Sequence, residues 1–268
     1  MKTRIGMRRW LTALLAVPLV AVIAAVTPGS ASAEGDGDGD GDGRNRDHWG
    51  VITRNTIGSP VADLRNGPFG SFGVTGPQAR PPYGQGSLGI HVAVISGTTP
   101  FAEKVDFGNE VDFFGKPVSG LTRVGFHVFQ TGENISYGGA ANLPGIRFEI
   151  DPNLAANATT YSSLVWVPAA LPSTSTNRWS PFIDATQNGT WFLTGAAGTV
   201  TGCNLTTQCS FADVKTRLDA DGGDPATIYT AAVGKGRDFM WIGAVDGLRI
   251  NENLYDFEPS GVRTRRTP

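Results

Sequence analysis

The stretch "GIRFEID", residues 145–151, decides the fold class. Its apolar and charged residues alternate, with Ile146, Phe148 and Ile150 set against Arg147, Glu149 and Asp151. Successive side chains of a β-strand point to opposite faces of the sheet, so this pattern predicts a strand with one buried and one polar face. Half-buried strands of this kind are typical of antiparallel sheets.

Similar stretches follow one another along the chain, separated by Gly, Pro and Asn. They are short and rich in Val, Ile, Phe, Tyr and Trp, which are strand compositions; examples are "LTRVGFHVFQ" (121–130), "YSSLVWVP" (161–168) and "FMWIGAVDGLRI" (239–250). One segment predicts a helix, with Ser210 as N-cap, Asp213 in the first turn and a stop at Gly222. The fold predicted for residues 48–259 is therefore all-β, an antiparallel, jelly-roll-like β-sandwich with one short helix.

The two ends of the chain have a different composition from this domain. Residues 1–33 combine a basic start, an apolar run and a small-residue A-x-A site, which predicts a cleaved secretory signal peptide and an extracellular protein without a membrane span. Residues 34–47 are a Gly/Asp repeat, interpreted as a flexible linker. Residues 260–268 are basic, contain few apolar side chains, and are expected to be a disordered tail.

Charge and cysteine content restrict the function classes. The formal net charge of the 268-residue chain is −2, and removal of the basic signal peptide makes the remainder more acidic, which argues against nucleic acid as a partner. Cys203 and Cys209 are the two cysteines, and in an oxidising compartment they are expected to form a disulfide that closes one short loop. Their number excludes a four-cysteine zinc site.

Several segments of the chain are distinctive: "PPYGQGSLGI" (81–90), "LTRVGF" (121–126), "SLVWVP" (163–168) and, most specific, the closing "AVDGLRINENLYDFEP" (244–259). In these residues the chain resembles an uncharacterised family of exported actinobacterial proteins. That family is similar to jelly-roll modules of the carbohydrate-binding type. The resemblance implies the fold and export, and it brings no assigned activity or catalytic residues.

Glu149 and Asp151 are the candidate catalytic pair. Two residues apart on one strand, they project from the same face, and their carboxylates can approach the separation of about 5 Å used by retaining glycosidases. The spacing resembles the signature of laminarinase-like glycoside hydrolases, but the second Glu of that signature falls on Asn153 or Leu154 here. Without a general acid the leaving group has no proton donor, unless Glu110 or Asp112 supplies one. The alternative is a polar strand face balanced by Arg147.

Aromatic and acidic residues supply the other candidate sites. Trp179, Trp191 and Tyr137 are candidate ligand-binding residues, because an exposed aromatic ring can stack on a sugar, although aromatic residues in strands more often lie in the core. Asp219, Asp221 and Asp224, placed around two glycines, are candidate ligands of a structural calcium ion. The alternative for these carboxylates is a solvated turn after a helix. The sequence indicates no other cofactor.

The hypothesis that follows is a secreted, non-catalytic β-sandwich that binds an extracellular polysaccharide or another cell-envelope component. Two alternatives stay open. One is a glycoside hydrolase-like enzyme that uses Glu149 and Asp151, and the other is a purely structural surface protein. The step from a fold to a function is an analogy, so the geometry of the site has to distinguish them.

Overall fold

The computed structural model describes residues 48–68, 76–94, 102–172, 176–220 and 222–267, all within one compact unit. The predicted signal peptide and the Gly/Asp linker lie outside the described residues. No helix in the described ranges is long and apolar enough to cross a membrane.

Fourteen β-strands and three α-helices lie in the described part of the chain. The strands are β1 (Trp49–Val51), β2 (Val61–Asn66), β3 (Gly86–Val92), β4 (Val105–Asn109), β5 (Val124–Gln130), β6 (Gly145–Asp151), β7 (Ser162–Val167), β8 (Arg178–Trp179), β9 (Ile183–Asp184), β10 (Thr190–Leu193), β11 (Thr227–Lys235), β12 (Trp241–Ile250), β13 (Asn253–Glu258) and β14 (Gly261–Arg266). The helices are α1 (Gly132–Gly138), α2 (Gly195–Thr201) and α3 (Phe211–Asp219).

The strands form two antiparallel sheets. The six-stranded sheet has the order β1-β4-β11-β6-β7-β10. The eight-stranded sheet has the order β14-β13-β12-β3-β2, with β5 on the other side of β12 and the short β8 and β9 paired to β5. The predicted all-β antiparallel sandwich is confirmed.

The core lies between the two sheets. Phe107 of the six-stranded sheet contacts Phe257 of the eight-stranded sheet edge-on at 5.9 Å between ring centroids, and Trp166 contacts Phe126 in the same way at 5.4 Å. The alternation predicted for β6 is present, because its apolar side chains are fully buried in this core. Its charged side chains therefore point away from the eight-stranded sheet.

The predicted helix is α3. Ser210 caps it, with its hydroxyl accepting a hydrogen bond from the Asp213 amide at 3.1 Å and donating one to the Asp213 carboxylate at 2.7 Å. The helix ends at Asp219, before the glycines. The prediction of a single helix is wrong because α1 and α2 are also present; each has only seven residues and is rich in glycine, a composition that does not predict a helix.

The predicted disulfide is present between Cys203 and Cys209. It closes the loop that joins α2 to α3. Backbone hydrogen bonds of 2.8 Å join Cys209 to Trp191 in both directions, so the loop is fixed against β10. The disulfide thus secures the edge of the six-stranded sheet.

The prediction of a disordered tail after residue 259 is wrong for residues 261–266. They form β14, which pairs with the whole of β13. Val262 is buried, and Arg265 forms an ion pair of 2.9 Å with the buried Asp256. The composition of residues 261–266 alone favours disorder. The segment is held in place by one apolar side chain, a ladder of backbone hydrogen bonds and this ion pair.

Candidate functional site

The solvent-facing surface of the six-stranded sheet, which we call the outer face, is the candidate site. Asp106 on β4, Arg147 and Glu149 on β6, Ser163 on β7 and Thr230 on β11 lie on it. Strand pairing places Glu149 between Thr230 and Ser163. A sheet with one charged face and one core face is the arrangement that the alternation in β6 predicts.

Glu149 is the centre of a hydrogen-bond network on this face, although its side chain is only 1% exposed. One carboxylate oxygen accepts hydrogen bonds from Asn55 Nδ2 at 2.9 Å and from the Tyr161 hydroxyl at 2.7 Å. The other accepts a charge-assisted hydrogen bond from Arg54. Arg54 also donates to Thr230 Oγ1 at 3.2 Å. Both oxygens therefore have partners.

The network fixes the protonation state of Glu149. Burial alone would raise its pKa, but the hydrogen bonds from the phenol, the amide and the guanidinium outweigh burial and lower the pKa below its ordinary value of 4.5. Glu149 is therefore ionised at neutral pH. An ionised carboxylate is not the general acid of a glycosidase, so that role would fall to Glu110 or Asp112.

Asp151 shares the face with Glu149, as predicted, but has different partners. One of its oxygens accepts from the Tyr229 hydroxyl at 3.0 Å, and the other accepts from the Asn153 amide at 3.1 Å. The structure thus holds each member of the candidate catalytic pair in its own network.

Glu110 and Asp112, the candidate proton donors, have different hydrogen-bond partners. Glu110 accepts a hydrogen bond from Arg54, so one guanidinium lies between Glu110 and Glu149. Asp112 accepts from Asn109 at 2.7 Å and interacts with His48 Nδ1 at 2.9 Å. Arg54 occupies the space that a glycosidic bond would need between two catalytic carboxylates.

A cleft of about 570 Å³ opens beside this network on the outer face. Its charged lining includes Asp106, Arg147 and Lys235, and its apolar lining includes Phe192 and Val165. Asp106 is almost fully buried and forms ion pairs with Arg147 and, at 3.6 Å, with Lys104. Lys235 is 1% exposed and pairs with Asp238. The cleft thus combines fixed charges with an apolar strip.

The surroundings of Lys104 and Lys235 disfavour the charged forms of these two lysines. Burial, together with the nearby charge of Arg147, lowers the pKa of Lys104. Burial likewise lowers the pKa of Lys235, against the opposing effect of Asp238. Each ammonium group would gain from an additional negative charge nearby.

Exposed aromatic rings lie at the other end of the outer face. Tyr161, which donates to Glu149, is 49% exposed. Phe114 is 67% exposed and stacks on Tyr229 with 5.8 Å between the ring centroids and an interplanar angle of 28°. Rings of this kind offer flat surfaces for a sugar.

The predicted ligand-binding aromatic residues do not lie together on the outer face. Trp191 is wrong as a candidate, because it is fully buried, contacts Phe148 and Phe211, and donates its indole hydrogen to the Ala185 carbonyl at 2.8 Å. Tyr137 lies on α1 and is 49% exposed.

Trp179, the third of these residues, is partly exposed in a separate surface cleft of about 620 Å³. That cleft is also lined by Phe182, Arg178 and Gln187, and its described lining does not include Tyr137. We call it the Trp179 cleft. It is a second surface on which a ligand could meet an aromatic ring.

The calcium prediction receives no support from the described residues. Asp219 ends α3, Asp224 lines a shallow hollow next to Asp151, and Asp221 lies outside the described ranges. Among the residues that the structure describes, no three His, Cys, Asp or Glu side chains are grouped to hold a metal ion. The calcium site stays a prediction.

Sequence reasoning missed most of the residues around Glu149. Arg54 and Asn55 belong to a short 3-10 turn, Thr53–Asn55, that no periodic pattern predicts. Lys235 had a usable signal, because it is a lone charged residue at the end of the apolar stretch "IYTAAVGK", residues 228–235.

Comparison of the chain with protein-family models gave no match, and neither did comparison with curated proteins or with solved structures. The function therefore has to be inferred from the chemistry of the outer face.

Proposed function

We propose that this protein is a secreted, non-catalytic β-sandwich that binds an extracellular polysaccharide on the outer face of its six-stranded sheet. The observation that supports this proposal most directly is the 570 Å³ cleft, in which charged and apolar side chains line an open sheet surface. Sugars present both hydroxyl groups and apolar C–H faces, so a ligand of this class can use both parts of the lining.

The length of the face supports a polymer rather than a small ligand. The cleft is at the Lys235 end of β11, and the exposed ring of Tyr161 lies beside Glu149, further along β6. Beyond Asp151, Phe114 and Tyr229 form a further aromatic surface. Consecutive sugar units could occupy successive positions along these strands.

The state of Glu149 supports binding over hydrolysis. Both oxygens of this carboxylate accept hydrogen bonds, and the guanidinium on one of them also binds Glu110, so Glu149 is poorly placed to attack a substrate. It is well suited to a different role, because it holds the Tyr161 hydroxyl and the Arg54 guanidinium in fixed positions on the face. A fixed surface loses less entropy when a ligand binds.

The test is to apply the purified protein to a broad panel of polysaccharides and to measure both retention and release of reducing ends. The proposal expects retention of at least one polymer and no release of reducing ends. Release that disappears in Glu149→Gln would contradict the proposal and establish the hydrolase alternative. Self-association without retention of any polymer would favour a structural surface protein.

A further inference from the structure

The charge of the cleft is opposite in sign to that of the chain. The whole chain has a formal net charge of −2. Of the described residues that line the cleft, four are cationic and two are acidic: Lys104, Arg147, Lys235, Arg237, Asp106 and Asp238. An excess of positive charge, set in a concave surface of an acidic protein, concentrates anions.

The positions of these charges leave positive potential inside the cleft. The buried carboxylate of Asp106 is shared by two cations, Arg147 and Lys104. The charge of Glu149 also acts on Lys104, but Glu149 is itself paired with Arg54. Of the described residues, only Asp106 accepts a hydrogen bond from the Arg147 guanidinium, through Nη1. The other nitrogens of this planar group remain to meet a ligand, and their fork suits an oxyanion.

A second group of charges lines the cleft after the end of β11. Lys235 pairs with Asp238, whose side chain is 54% exposed, and the neighbouring Arg237 is exposed at the rim. The cations of the cleft thus come from the start of β4, from β6 and from the end of β11, and the apolar side chains of Val165, Val167 and Phe192 lie next to Arg147 on β7 and β10. A ligand that fits has a negative group for the cations and an apolar surface for the adjoining strands.

We infer that the cleft selects anionic polysaccharides, whose carboxylate or sulfate groups are bound by Arg147 and Arg237 while sugar rings lie on the adjoining apolar side chains. This inference rests on the proposed function and names its substrate class. The lowered pKa values of Lys104 and Lys235 agree with it, because an anion in the cleft would stabilise both ammonium groups.

The test compares polymers that differ in charge. Binding of the full protein to polygalacturonate, dextran sulfate and unmodified dextran is measured by calorimetry at low and at physiological salt. The expected result is that at least one anionic polymer binds about tenfold more tightly than dextran and that its affinity falls as salt is added, because salt screens exposed charges. The two anionic polymers distinguish carboxylate from sulfate recognition, and tight binding of either supports the inference.

Two variants locate the binding surface. Arg237→Gln removes an exposed charge at the rim of the cleft, and Arg266→Gln removes an exposed arginine from β14 of the other sheet, so the two changes are matched in chemistry. Arg237→Gln is expected to weaken anionic binding about tenfold, the typical effect of losing a charge-assisted hydrogen bond, while Arg266→Gln leaves it unchanged. Equal losses in both variants would show non-specific attraction and overturn the inference.

Failure of the inference is distinguishable from failure of the proposed function. Binding of neutral polymers with no preference for anionic ones overturns the inference and leaves polysaccharide binding intact. Absence of binding to every polymer in the panel overturns both. Because Arg237 is exposed, its substitution is not expected to prevent folding, so the test does not depend on a variant of a partly buried, ion-paired residue such as Arg147→Gln.

Discussion

Glu149 and Asp246 are both acidic residues with almost no exposed side-chain area, but they are held in opposite ways. Glu149 accepts hydrogen bonds from a guanidinium, an amide and a phenol, and its pKa is lowered. Asp246 accepts hydrogen bonds from the backbone amides of Tyr83 at 3.0 Å and Phe257 at 3.2 Å. Burial, aided by the nearby charge of Asp256, raises its pKa to about 7.

The hydrogen-bond partners of Glu149 and Asp246 indicate different roles, one in a candidate binding site and the other in stabilising the fold. The partners of Glu149 include half-exposed side chains that a ligand can reach, such as Tyr161. The partners of Asp246 are backbone groups of two segments far apart in the chain, which it joins within the eight-stranded sheet. The closing segment "AVDGLRINENLYDFEP" therefore has a structural role around Asp246, while the outer face is the surface available for function.

The largest effect is expected in the pH dependence of stability. The folded-state pKa of Asp246 is raised from 3.8 to about 7. The stabilising contribution of Asp246 to the free energy of unfolding is therefore fully present below pH 3.8 and is lost as the pH rises to about 7. A difference of this size corresponds to a contribution on the order of 4 kcal/mol. Glu149 has a lowered pKa, so its contribution is present above pH 4.5 and is lost as the pH falls.

Denaturant unfolding of the wild type, Asp246→Asn and Glu149→Gln between pH 3 and pH 8 checks these opposite slopes. The stability gap between the wild type and Asp246→Asn should be larger at pH 4 than at pH 7.5. The gap to Glu149→Gln should be larger at pH 7 than at pH 3.5. If both stability differences change in the same direction with pH, the two carboxylates do not contribute to stability in opposite ways.

The next effect in size is that of Asp246→Ala at pH 4, where most of the contribution of the Asp246 carboxyl to stability is present. The change leaves the buried amides of Tyr83 and Phe257 without an acceptor, which should lower the free energy of unfolding by about 3 kcal/mol. Asp63→Ala on β2 of the same sheet is the matched control, because Asp63 is exposed, and it should change the free energy by less than about 0.5 kcal/mol. Similar losses in both variants would remove the structural role assigned to Asp246.

Glu149→Gln should lower the free energy of unfolding at pH 7 by about 2 kcal/mol, because the charge-assisted hydrogen bond to Arg54 is lost while Tyr161 and Asn55 can still donate to the remaining oxygen. Chemical denaturation measures the change in the free energy of unfolding. Glu149→Gln should also weaken ligand binding, because Arg54 and Tyr161 are no longer fixed. Unchanged binding would place the ligand away from this network.

The smallest effect is expected for Tyr161→Phe. The ring is kept and the hydroxyl that donates to Glu149 is lost, so stability should fall by about 1 kcal/mol. Since the exposed ring remains able to stack on a sugar, polysaccharide affinity should change less than in Tyr161→Ala. Equal loss of affinity in both variants would assign the ligand contact to the hydroxyl instead of the ring.

The fold could be predicted from the sequence because alternation is a local signal. Ile146, Phe148 and Ile150 identify β6 and its buried face without any knowledge of its neighbours. The same rule correctly placed Glu149 and Asp151 on one face. It could not predict their partners, because Arg54 and Tyr229 reach them from distant parts of the chain.

Prediction failed where a residue's environment depends on packing. Trp191 is an aromatic residue of the kind that can stack on a sugar, but it packs against Phe148 and Phe211 in the core. Residues 261–266 have the composition of a disordered tail, but β13 offers them an open edge to pair with. In both cases tertiary contacts override the local signal.

The most direct test of the central claim is to map backbone amide chemical-shift changes while a bound polysaccharide from the panel is added to the protein. If the polysaccharide binds the outer face, the shifted amides belong to β4, β6, β7 and β11, around Arg147, Glu149 and Lys235. Changes confined to the Trp179 cleft, with the outer face unaffected, would contradict the central claim.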